Sequence, residues 1–63
     1  MTTEPAYGPV DARWDLDHVL NRVNNIAIRL WVNGNRSLAV MVEDVGYRID
    51  HIIEQCDKIS SGT

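Results

Sequence analysis

The chain contains no phenylalanine, a single cysteine, and no unbroken apolar run longer than Leu38 to Val42. Each shortage excludes something. With aromatics at only 6% of residues, any core has to be aliphatic, built from Leu, Ile and Val. A lone Cys56 can form neither an internal disulfide nor a cysteine-rich zinc site, and it suits a reducing compartment. The longest apolar run is far short of the roughly 20 residues a helix needs to cross a bilayer. The opening Met-Thr-Thr-Glu-Pro-Ala-Tyr-Gly-Pro has neither the positive nor the apolar region of a secretory signal. The expected location is therefore the cytoplasm, with no membrane partner.

The parts of a catalytic site are equally scarce. Gly8, Gly34, Gly46 and Gly62 are too dispersed for a phosphate-binding loop, and no serine sits in a nucleophile elbow. Cys56 falls inside an apolar stripe, where a thiol acts as a small hydrophobe. A chain this short also has little room for a concave pocket. No enzyme activity and no cofactor are expected.

What is present fits one small globular domain. There are 63 residues, near the lower limit for a chain that folds alone, and 44% of them are hydrophobic. An aliphatic core of this size rarely supplies more than about 3–5 kcal/mol, so a further staple is expected. With disulfides excluded, self-association is the staple easiest to supply. Residues 1–10 read as a flexible arm, 11–59 as the folded domain and 60–63 as a flexible tail.

Two apolar series run through the domain at helical spacing. Leu16, Val23 and Leu30 recur every seven residues, with Val19, Leu20, Ile26 and Ala27 beside them. Leu38, Val45, Ile52 and Ile59 repeat the interval, flanked by Val42, Ile49 and Cys56. Asp11 and Ser37 are candidate N-caps, and Asn33-Gly34-Asn35 supplies residues that tolerate positive φ at a helix end. Asp44 and Arg48 form a favourable i,i+4 pair. The expected fold is all-α: an antiparallel helical hairpin, about 12–33 and 37–59. Two helices share one contact line and leave part of a wide stripe unburied, so pairing into a four-helix bundle is expected, with Ala27 and Gly46 permitting close helix approach.

An α-β-β-α arrangement competes for the same residues. Ile26, Ile28, Leu30 and Val32 alternate, as do Leu38, Val40 and Val42, and Asn-Gly between alternating runs signals a β-hairpin. A three-residue loop would place Leu30 opposite Leu38, giving strands at 26–32 and 37–43.

The function expected is that of a small non-enzymatic interaction, regulatory or assembly protein, acting as a homo-oligomer and binding another protein. Ile28, Val32, Val40 and Tyr47 point away from the stripe near the turn, Trp31 sits on its flank, and together they form a candidate partner surface. Trp14 is a second candidate anchor, because Trp is enriched at binding hot spots. Charge supplies two alternatives. Arg22, Arg29 and Arg36 are seven apart and suggest a basic line on the first helix that could follow a phosphate backbone. Residues 37–63 carry Glu43, Asp44, Asp50, Glu54 and Asp57 against only Arg48 and Lys58, within an overall net charge of −3. Such an acidic helix could occupy the groove of a nucleic-acid-binding enzyme as an inhibitor. Asp15-x-x-His18 and His51-x-x-Glu54 have metal-site spacing, but His18 points away from its stripe, so no metal is expected.

Overall fold

Glycines mark both ends of the first helix. In the computed structural model, which describes residues 6–61, the chain forms α1 (Pro9–Val32) and α2 (Arg36–Ser60). Gly8 is the N-cap of α1, and Pro9 occupies the first helical position, where its missing N–H costs nothing. The Asp11 carboxylate sits in the first turn and accepts the Gly8 N–H at 3.0 Å. Asp11 thus serves the helix start from inside it, and α1 begins about one turn earlier than the periodicity predicts. Pro9 and Val10, assigned by sequence to the arm, are helical. Tyr7 is also tied down, its phenol donating to Asp15 at 2.6 Å. That carboxylate holds the Tyr7 phenol above its usual value of 10.0. The rest of the arm and tail, residues 1–5 and 62–63, lies outside the described residues.

α1 ends in a Schellman motif. Gly34 takes φ 80, its N–H donates to the Trp31 carbonyl at 3.1 Å, and the Asn35 N–H reaches back to the Leu30 carbonyl at 2.8 Å. Only a residue without a Cβ enters this left-handed region at little cost. The β-hairpin alternative is thereby overturned, since 26–32 and 37–43 are helical and no strand occurs among the described residues. The alternation has a helical explanation. Ile26 and Leu30 form one i,i+4 pair, while Ile28 and Val32 form another on a different side. The Asn-Gly sequence serves a helix C-terminus as well as it serves a hairpin turn.

α2 starts at Arg36, with Asn35 and not Ser37 as its N-cap. At its far end the Ser60 hydroxyl donates to the Cys56 carbonyl at 2.8 Å and the Ser61 hydroxyl to the Lys58 carbonyl at 2.9 Å, satisfying acceptors of the last turn. Arg48 pairs with Asp44 one turn before it at 3.4 Å.

The helices pack antiparallel in one layer, 12 Å deep along its shortest axis. Their seam is narrower than the apolar stripes. From α1 it takes Leu16, Leu20, Val23, Ala27 and Leu30; from α2 it takes Ala39, Val42, Gly46, Ile49, Ile53 and Cys56. Both sets alternate steps of three and four, the spacing of a left-handed helix pair. Gly46 lies against Leu20, Val23 and Asn24, so the midpoints of the helices meet where one of them has no side chain.

Several residues expected in the core are not in it. Val19, Ile26, Leu38, Val45, Ile52 and Ile59 are exposed, while Ala27, Ala39, Ile49, Ile53 and Cys56 form the buried set. The reason is geometric: a helix touching a single neighbour buries one line of side chains, and small residues on that line bring the backbones closest.

Candidate functional site

Which edges of the two helices share a side of the layer follows from cross-helix contacts. The Trp31 indole N–H donates to the Glu43 carboxylate at 2.5 Å, and Arg13 pairs with Asp57 at 2.5 Å. Arg13, Asn24 and Trp31 flank one edge of the α1 seam; Glu43, Asp50, Glu54 and Asp57 flank one edge of the α2 seam. These polar edges therefore lie on one broad face. The opposite edges, Val19 and Ile26 on α1 and Leu38, Val45, Ile52 and Ile59 on α2, must share the other face. The hairpin is amphipathic as a slab, with an acidic side and an aliphatic side.

The six aliphatic residues are between 45% and 64% exposed. Val23, Leu30 and Val42 of the seam lie half-buried between them. The accessible surface of the chain is 5280 Å², above the roughly 4,100 Å² of a 7.1 kDa globular monomer, as a single layer of two helices requires.

The residues expected from sequence to face a partner lie elsewhere. Ile28, Trp31, Val40 and Tyr47 sit along the acidic face, Val32 on the outer side of α1 near the turn, and all five stay exposed. Tyr47 forms part of the wall of a shallow groove over Gly46 that Leu20, Asn24, Glu43 and Asp50 complete. Trp14 is on the outer side of α1, exposed, its ring edge-on to His18 at 4.2 Å between centroids. The apolar face itself was assigned by sequence to the core. The signal that separates it is the offset between the Leu38 heptad and the small-residue heptad of Ala39 and Gly46.

The three arginines do not form one stripe. Arg22 and Arg29 stay together on α1, bordering Asn25, Ile26 and Ile28, but Arg36 opens α2. Its guanidinium lies 5.8 Å from the centroid of the Trp31 ring, a cation–π contact on the other face. Of the five acids of α2, Glu43, Asp44 and Asp57 are engaged within the hairpin by Trp31, Arg48 and Arg13. Among the described residues no three His, Cys, Asp or Glu side chains converge, and no helix is long and apolar enough to cross a membrane. Comparison with protein-family models, with curated proteins and with solved structures finds no match to this chain.

Proposed function

We propose that this chain is a non-enzymatic interaction protein that works as a homo-oligomer, its aliphatic face packed against that of a second copy to make a four-helix bundle. The observation that carries this is the exposed line Leu38, Val45, Ile52 and Ile59 beside Val19 and Ile26 on one side of a single-layer hairpin. A layer has two faces, and a stable domain has to cover the apolar one. A second copy supplies the same aliphatic surface in complementary amount. Ile52→Glu places a charge within that contact and is expected to convert the assembly to monomer at micromolar concentration, measured by sedimentation. Tyr47→Ala, on the opposite face, should leave the mass unchanged. Retention of the wild-type mass by Ile52→Glu would show that this face is not the contact.

Assembly leaves the acidic face outward, and that face is the surface offered to another protein. It combines Trp31, Tyr47, Ile28 and Val40 with Glu43, Asp50 and Glu54, a set suited to a basic partner with apolar anchors. A photo-crosslinker at position 47 should give an adduct with one other protein, lost in Trp31→Ala and weakened by salt. Adducts of this chain with itself alone would contradict the assignment.

A further inference from the structure

The aliphatic face also carries information about how two copies meet. We infer that the second copy docks with its turn at the opposite end of the bundle, related by a two-fold axis perpendicular to the helices, so that α1 packs on α1 and α2 on α2 of the partner copy. This rests on the homo-oligomer proposed above and fixes its geometry.

The spacing of the face is symmetric about one level. Val19 and Ile26 are centred between Arg22 and Val23. Val45 with Ile52, and Leu38 with Ile59, are both centred between Arg48 and Ile49. Within the hairpin Val23 lies against Gly46, so the two centres fall within about one helical turn of the same height. A two-fold axis crossing the layer at that height sets Val19 against Ile26 of the partner copy, Val45 against Ile52, and Leu38 against Ile59. Each of the six aliphatic residues of this face meets another.

The alternative keeps both turns at one end and stacks α1 on α2 of the partner copy. Val19 then faces Ile52 and Ile26 faces Val45, which is equally good at the centre. The ends fail: Leu38 falls opposite Asn33, and Ile59 opposite the Asp11–Ala12 turn. Two large aliphatic residues at each end would remain against polar or small neighbours.

Charge points the same way. Asp15 and Arg29 lie on the same outer margin of the face, about seven residues to either side of the α1 centre. With the turns apart, Asp15 of each copy comes level with Arg29 of the other, giving two symmetric ion pairs. With the turns together, Asp15 comes level with Gln55 and Arg29 with Met41. Arg22 meets its own copy in one arrangement and Arg48 in the other, so it does not choose between them.

A spin label at the turn distinguishes the arrangements. In Asn35→Cys with Cys56→Ala, the label is unique and lies outside the contact. The 24-residue α1 is about 36 Å long, so turns at opposite ends separate the labels by about 35–40 Å. Turns at the same end bring them within about 20 Å. A double-resonance distance in the longer range is the result expected, and one in the shorter range would overturn the arrangement while leaving the homo-oligomer intact. A monomer at every concentration would overturn both. Charge reversal gives an independent check that keeps Cys56. Asp15→Arg or Arg29→Asp alone should weaken association roughly tenfold, and the two together should restore it. Failure of the double variant to recover would count against the pairing.

Discussion

At the scale of single residues, the glycines separate two physical roles. Gly34 is needed for its backbone: at φ 80 a side chain is strained whatever space surrounds it. Gly34→Ala is expected to destabilise the fold by about 1 kcal/mol, read as a lower denaturation midpoint. Gly46 is helical, and a Cβ there would meet Asn24 at 3.5 Å and Leu20 and Val23 at 3.7 Å, ordinary contact distances. Gly46→Ala therefore gains helix propensity without a clash. It should raise stability by about 0.5–1 kcal/mol, several degrees in melting temperature for a chain of this size. A lower melting temperature for Gly46→Ala would mean that the helices approach more closely at that point. Ile53, buried in the seam, should cost about 2–5 kcal/mol when cut to Ala, whereas Ile28→Ala, exposed, should stay within about 0.5 kcal/mol.

At the scale of elements, both helices and the turn between them were legible in the sequence, because the apolar residues return at three- and four-residue steps and Asn33-Gly34-Asn35 interrupts them. The ends were less so. The start of α1 depends on Gly8 and Pro9, which read equally well as loop residues until Asp11 is seen accepting the Gly8 N–H. The periodicity points to the wrong buried line for a physical reason. Large aliphatic residues mark where a helix meets something apolar, without saying whether that surface is its own partner helix or another molecule. Leu38, Val45, Ile52 and Ile59 place a large aliphatic residue at every heptad step, whereas the equally regular Ala39, Gly46 and Ile53 begin with two small residues, so the line of large side chains marks the face left open and the line with small ones marks the seam. The polar face shows the converse. The spacing places Trp31 on the flank of the stripe, but its hydrogen bond to Glu43 and its contact with Arg36 depend on α2 returning alongside, which no local pattern encodes. Removing the acceptor in Glu43→Ala should loosen Trp31, seen as a red-shifted and more quenchable indole emission. An unchanged spectrum would mean that the contact contributes nothing to its environment.

At the scale of the whole molecule, the surface left by a two-helix layer sets the account. A hairpin whose buried hydrophobic set is two alanines, two isoleucines and a cysteine, with an aliphatic face of equal prominence turned outward, has most of its potential core on the wrong side of a monomer. Folding and association are then expected to be coupled, and the melting temperature should rise with protein concentration. A melting temperature independent of concentration across the range where mass changes would separate the two processes. The most direct test of the central claim is the solution mass by sedimentation equilibrium over a hundredfold concentration range. A mass twice that of the chain, falling toward one chain only at the dilute end, is the result expected. A well-folded monomer throughout would contradict it.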